Sequence, residues 1–119
     1  MSETVTLYHN PACSKSRLCL ELLQQHMKAQ DLTLVVRDYL SHKLTKHELA
    51  LLAQKLTTAP QHLVRPSDEL TLDFTPVSSS EIIDLLSLNP HLLQRPIVEF
   101  RDKAVIARPP ELALTLLAA

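Results

Sequence analysis

Tyr8-His9-Asn10-Pro11-Ala12-Cys13-Ser14-Lys15-Ser16-Arg17 is the stretch on which the fold turns. A short β-branched run, Val5-Thr6-Leu7-Tyr8, leads into it, and a long Leu-rich helical pattern leads out. The Asn-Pro pair between them is turn chemistry. Cys13 therefore falls at a strand-to-helix turn, beside the helix N-terminus. Exposed amide N–H groups and the helix dipole favour negative charge there, and so favour a thiolate over a thiol. A free thiol titrates near ~8.5, and helix N-termini or neighbouring cations lower that to about 3.5–7.5. The same amides suit an oxyanion beside the sulfur. The segment reads as a thiol nucleophile with an oxyanion site built into its loop. A cysteine kept only for packing sits among apolar neighbours, not behind His-Asn-Pro.

Working outward, residues 4–8 read as a first strand. The helix runs from Ser14 to about Lys28, with Leu20, Leu23 and Met27 spaced along one face. Residues 32–37, Leu-Thr-Leu-Val-Val-Arg, read as a second strand. A strand–helix–strand unit of this length implies a parallel pair with a right-handed crossover. Thr45-Lys46-His47-Glu48 is a capping box that opens a helix to about Leu56. A short helical turn is expected between Thr57 and Val64, and loop and turn over residues 66–77. Ser78-Ser79-Ser80-Glu81 is a second capping box, and the helix it opens stops by Asn89-Pro90. Pro96-Ile97-Val98-Glu99-Phe100 and Ala104-Val105-Ile106-Ala107 then flank a turn at Arg101-Asp102-Lys103, a hairpin signal. Pro109-Pro110 starts a last helix. The order is that of an α/β, thioredoxin-like fold. It has a four-stranded mixed sheet and a helical insertion between the second and third strands. The whole chain, 1–119, reads as one domain.

Composition narrows the function. Net charge is −1 and no basic run stands out, so neither nucleic acid nor a membrane surface is an expected partner. No apolar stretch approaches the ~20 residues of a membrane span. The N-terminus lacks a signal-peptide pattern, and two cysteines six positions apart make no disulfide framework, so a cytoplasmic setting is expected. Glycine is absent. That excludes the glycine-dependent nucleotide loops and the nucleophile-elbow serine motif. Any positive-φ position must fall to other residues, with Asn10, Asn89 and Asp102 the candidates. The six histidines pair with no cysteine or second histidine at ligand spacing, so no metal is expected. His42 and His47 read as solvated.

Three arginines precede prolines: Arg65-Pro66, Arg95-Pro96 and Arg108-Pro109. A guanidinium is a planar fork of donors suited to tetrahedral oxyanions. With the Tyr-His-Asn-Pro-x-Cys-x-x-Ser-Arg loop, the Arg-Pro-Ile-Val strand and the closing Arg-Pro-Pro-Glu, the chain resembles the thioredoxin-fold arsenate reductases of the glutathione/glutaredoxin-coupled class. Within that class it is similar to the short YfgD-like branch. The resemblance spans nearly the whole chain. It implies that Cys13 is the nucleophile, that His9 helps keep it ionised, and that Asn10 and Ser16 order the loop. It further implies that Arg65, Arg95 and Arg108 bind the oxyanion, and that the proline after Arg95 is cis and lies against the cysteine loop.

The implied chemistry is attack of the Cys13 thiolate on arsenic(V) to give a thioester-type arsenic adduct, displacement of oxygen by glutathione, and restart by glutaredoxin. No cofactor is bound, and glutathione is a co-substrate. Ser16 stands where thioredoxin-like disulfide enzymes carry their second cysteine, so an external thiol is implied. Cys19, among leucines, reads as a core residue. Two other functions stay open on the sequence. One is a non-catalytic regulator of the Spx type, which uses this fold to bind RNA polymerase. The other is a general glutathione-dependent thiol oxidoreductase.

Overall fold

A computed structural model describes residues 3–28, 30–65 and 78–118. β1 (Glu3–His9) and β2 (Leu32–Asp38) run parallel, in register from Glu3↔Leu32 to His9↔Asp38. Their connection is α1 (Ser14–Met27), the helical crossover that a parallel pair requires. β3 (Ile97–Phe100) pairs antiparallel with the other edge of β1, and β4 (Lys103–Ile106) pairs antiparallel with β3. The sheet order is β2-β1-β3-β4, so β1, the strand that delivers the cysteine loop, is central. Between β2 and β3 lie α2 (Lys46–Lys55), a 3-10 turn at Pro60–Leu63, α3 (Ser79–Leu88) and a second short turn at Pro90–Leu92. α4 (Leu112–Ala118) follows β4. This is the mixed sheet with a helical insertion expected from the sequence.

Strand alternation sends neighbouring residues to opposite faces. Val5, Leu7, Val98 and Phe100 pack with Cys19 and Leu23 of α1 and with Ala113 and Leu116 of α4. Tyr8, Ile97 and Ala104 face the other way, into Leu49, Leu52, Ile82 and Leu86 of the insertion. Glu99 shares that second face. Its carboxylate accepts the Tyr8 hydroxyl at 2.7 Å and pairs with the Lys55 ammonium, which ties α2 to the sheet. His9 has the parity of Val5 and Leu7, so its ring turns toward α1. That parity decides what it can touch at the site.

The local signals resolve largely as read. Thr45 forms the complete capping box with Glu48. The Ser78 hydroxyl accepts the Glu81 amide at 3.2 Å. Residues 66–77, read as loop and turn, lie outside the described residues. Three readings shift. The buried stripe of α1 is Ser16, Cys19 and Leu23, with Leu20 and Met27 only flanking it. The turn that positions Cys13 draws Ser16 under the sheet and rotates the stripe. α4 starts at Leu112 rather than at Pro109-Pro110. The Leu112 and Ala113 amides donate to the carbonyls of Pro109 and Pro110, so the prolines form a lead-in turn.

The third shift concerns the hairpin. Among the described residues positive φ falls at Arg101 (φ 58), not at Asn10, Asn89 or Asp102. The connection is two residues long, and such hairpins need a left-handed residue at the first central position. Arg101 takes that position with its side chain engaged. Its guanidinium donates to both Glu3 carboxylate oxygens at 2.6 and 2.7 Å and lies 4.7 Å over the Phe100 ring. Replacing Arg101 separates backbone from side chain. Arg101→Gly and Arg101→Ala both lose these contacts, but only alanine keeps the steric penalty of the left-handed region. Arg101→Gly is expected to unfold at a higher urea concentration than Arg101→Ala. Equal midpoints would show that the turn relaxes out of the left-handed conformation.

Candidate active site

β1 and β2 end together at the His9↔Asp38 pair, and the chains that leave them build one site. From β1 comes the cysteine loop. The Asn10 side-chain oxygen accepts the Ala12 amide at 3.0 Å, and its carbonyl accepts the Cys13 amide at 3.0 Å. Cys13 is the N-cap of α1, with an extended backbone and its carbonyl taken by the Arg17 amide at 3.0 Å. Ser16 lies one turn into the helix and is fully buried. Its hydroxyl oxygen accepts the Asn10 amide at 3.0 Å and shares a 2.9 Å hydrogen bond with Nδ1 of His9. Strand end, loop and helix start are thus tied through one side chain.

From the end of β2 comes Tyr39. The Asp38 carboxylate accepts the amides of Leu40 and Ser41 at 3.1 and 3.2 Å, turning the chain so that Tyr39 points inward, 1 % exposed. From the insertion come two arginines. Val64 and Leu93 form an isolated antiparallel bridge, flanked by Arg65 N–H to the Leu92 carbonyl (2.8 Å) and Gln94 N–H to the Leu63 carbonyl (2.7 Å). This pairing brings Arg65 beside the segment that carries Arg95, although thirty residues separate them in sequence. Pro96 is fully buried, and the Arg95-Pro96 and Arg108-Pro109 peptides are cis. Arg108 donates from Nη1 to the Arg95 carbonyl at 3.1 Å. Its own side chain is exposed and borders an open cleft of about 430 Å³, with Gln61, His62, Gln94, Val105 and Leu112.

The electrostatics separate the two cysteines. Partial burial pushes the Cys13 thiol up, but the Ser16 and Lys15 amides and the Arg95 guanidinium outweigh it, so the thiol lies below its ordinary value. The sulfur closes no capping hydrogen bond, so the amides act as dipoles aligned on it at the helix start. Cys19 is fully buried, and burial alone raises its thiol to about 11. His9 is held below its ordinary value by burial, with Arg17 adding to the effect and Asp38 opposing it. The imidazole is neutral at pH 7 and addresses the site through Ser16.

Of the residues singled out from sequence, Cys13, His9, Asn10, Ser16 and Arg95 meet at one end of the sheet. Arg65 joins them from the far side, where its charge bears on Tyr39. Arg108 stands behind Arg95. Tyr39 escaped the sequence reading. Its signal was positional: it directly follows the strand parallel to the one that delivers Cys13, and carboxyl ends of parallel strands are where sites form. Among the described residues no cluster of acidic, histidine or cysteine side chains could hold a metal ion. No described helix is long and apolar enough to cross a membrane.

A thioredoxin-like sheet with an ionisable cysteine capping its first helix, and arginines gathered over it, defines a thiol-based redox protein. The chain belongs to the ArsC family, whose family model matches residues 8–116. It is 37% identical over 119 residues to an arsenate reductase of Haemophilus influenzae, covering 96% of this chain and 99% of that protein. It is 33% identical over 120 residues to the uncharacterized protein YfgD of Escherichia coli, covering 98% of each. Among solved structures, an arsenate reductase from Vibrio cholerae superposes with a TM-score of 0.83 at 32% identity, over 97% of this chain and 98% of that one.

Labelling separates the two thiols. Iodoacetamide applied to the folded protein across pH is expected to modify Cys13 with an inflection below that of an ordinary thiol, and to leave Cys19 unmodified. In Arg95→Ala the Cys13 inflection should move upward, because a cation that favours the thiolate is gone. Faster labelling of Cys19, or a Cys13 inflection indifferent to Arg95, contradicts this account of the site.

Proposed function

We propose that this protein is an arsenate reductase that uses Cys13 as its only reacting thiol and draws its electrons from glutathione and glutaredoxin. The observation that carries the reading is the Cys13 thiol, biased toward thiolate, beneath an arginine whose Nε is buried and has no hydrogen-bond partner. Buried donors are normally paired, and an anion at the sulfur would pair this one. Arsenate fits as a tetrahedral oxyanion with an electrophilic centre. The family relatives named arsenate reductases support the choice of substrate.

The Cys13 thiolate attacks arsenic, forming a sulfur–arsenic bond, and one arsenic oxygen leaves as water after protonation. Glutathione displaces a second oxygen, again as water, and arsenic is still in its pentavalent state. A glutaredoxin thiolate then attacks the glutathione sulfur. The new sulfur–sulfur bond forms, and the electron pair of the glutathione–arsenic bond stays on arsenic, which becomes trivalent. Hydrolysis of the remaining sulfur–arsenic bond releases arsenite and returns the thiolate. Asn10, Ser16 and His9 hold the loop in attack geometry. Arg95 and Arg65 neutralise the oxyanion, and Arg108 assists through the Arg95 carbonyl and its own charge.

Geometry supports an external reductant. Six helical residues rise about 9 Å, beyond the Cα separation of a disulfide, so Cys13 and Cys19 cannot join without unwinding α1. Ser16, at the position of a second redox cysteine, has no thiol. Arsenite release should therefore require glutathione with glutaredoxin, fail with thioredoxin alone, and proceed equally in wild type and Cys19→Ser. Turnover with thioredoxin that vanishes in Cys19→Ser would make Cys19 the resolving thiol. No arsenite release under any of these conditions would end the reductase reading.

The arginine fork has its own test. Arg95→Lys keeps the charge but not the planar donors, and loss of one charge-assisted hydrogen bond costs about 1.5–3 kcal/mol. Calorimetric titration of arsenate should show a loss of that order in Arg95→Lys. Arg95→Ala and Arg108→Ala with wild-type affinity would remove both residues from substrate binding.

A further inference from the structure

Three buried donor atoms among the described residues have no hydrogen-bond partner: Nε of Arg65, Nε of Arg95 and the hydroxyl of Tyr39. The first two belong to arginines already placed at the site. The third belongs to a residue that nothing in the family motif singles out. Register locates it. His9 and Asp38 pair at the ends of β1 and β2, so Tyr39 leaves β2 alongside Asn10, the first residue of the cysteine loop. The Asp38 turn holds the backbone there. The groups whose charges act on the phenol are Arg95, Cys13 and Arg65, and the Asn10 side chain stands beside it on the donor side. Asn10 can offer the phenol oxygen only an amide N–H, because its own oxygen is engaged by the Ala12 amide, so the hydroxyl proton has no acceptor.

A phenol that is 1 % exposed, with its O–H unpaired, surrounded by two guanidinium groups and a thiol, is costly by itself. An acceptor with several lone pairs at the sulfur would satisfy it together with both Nε donors. We propose that Tyr39 is a further substrate-binding residue, whose hydroxyl donates a hydrogen bond to the tetrahedral oxyanion held between Arg65, Arg95 and Cys13. The inference rests on the oxyanion-site reading above, and adds to it a neutral donor. Burial raises the phenol above its ordinary value, so at neutral pH it is protonated and a donor. A third cation at this place would bind the anion but also hold the leaving oxygen's charge. A phenol orients the anion without adding charge.

Tyr39→Phe keeps the ring in its packing and removes only the hydroxyl. Oxyanion affinity is read with arsenate and, separately, with sulfate, by protection of Cys13 from iodoacetamide. Tyr39→Phe should weaken both about 10- to 100-fold, the span of one hydrogen bond to a charged group. Cys13 labelling without oxyanion should keep its wild-type inflection. Unchanged affinity overturns the proposal. So does a shifted inflection at unchanged affinity, which would mean that the hydroxyl serves the thiolate instead. A second measurement does not depend on that variant folding. The chain has two tyrosines and no tryptophan, so in Tyr8→Phe the near-ultraviolet tyrosine band reports Tyr39 alone. Saturating sulfate should perturb it, and an unperturbed band at proven saturation overturns the proposal. If wild type binds neither anion, the oxyanion-site reading fails with it. If wild type binds them in a Tyr39-dependent way but releases no arsenite, only the reductase reading fails.

Discussion

The buried hydroxyl of Ser16 is the constraint on which the site depends. It accepts the Asn10 amide and shares a hydrogen bond with the His9 ring, so the end of β1, the cysteine loop and the first turn of α1 move as one body. Its position also sets the rotation of α1, because Ser16, Cys19 and Leu23 form the stripe that the sheet covers. Cys13, three residues earlier, is thereby held at the N-cap where the helix amides point. A cysteine at position 16 would supply a resolving thiol but is a weak donor and a weak acceptor. The polar work of tying the loop and the redox work of resolving an adduct compete for the same place. In this chain the polar work occupies it.

The second half of the site is assembled by contacts distant in sequence. The Val64–Leu93 bridge, with its two flanking hydrogen bonds, carries the weight of bringing Arg65 to Arg95. Loop closure over such a span costs entropy that only packing of the insertion can offset. Ile82, Leu86, Leu92 and Leu93 bury together with Leu49, Leu52 and Leu63 for that purpose. The Lys55–Glu99–Tyr8 contacts fasten this second core to the central strands. The helical insertion is thus a device that delivers arginine to a site whose thiol comes from the other end of the chain.

How much of this was readable from sequence depends on the range of each interaction. The β1–α1 turn, the parallel β2, the capping box at Thr45 and the hairpin are local patterns, and they appear where hydrophobic period and capping residues place them. Cys19 as a core residue followed from its leucine neighbours. Misplaced were features set by geometry between elements. The α1 stripe moved because a polar residue, Ser16, is the one buried first. Positive φ went to Arg101 because hairpin length outranks residue preference once Glu3 and Phe100 hold the side chain. Arg65 beside Arg95 was not misplaced but entered only through the family resemblance, because no periodicity announces the Val64–Leu93 pairing that joins them. Tyr39 needed the β1–β2 register. A tyrosine at the end of a strand looks like core until the register puts it beside the cysteine loop.

Charge balance links these parts. The site holds a sulfur whose thiol lies below its ordinary value and a His9 that burial keeps uncharged at neutral pH, with Arg95 close, Arg108 on the Arg95 carbonyl and Arg65 acting on Tyr39. Bringing an anion to about 4 Å from a thiolate costs about 4 kcal/mol per pair of unit charges at an effective dielectric of 20. A guanidinium at similar distance from both offsets that repulsion, and a doubly charged oxyanion calls for more than one. A protonated His9 could have supplied such a charge, but it would also titrate away in the range where the thiolate forms. Arginine does not titrate there. Burial of His9 beside Ser16 leaves it hydrogen-bonded rather than cationic at neutral pH. Under the proposed oxyanion binding the charge would therefore have to come from residues whose charge is fixed: Arg95 and Arg108, which flank the β3–β4 hairpin, and Arg65 from the insertion.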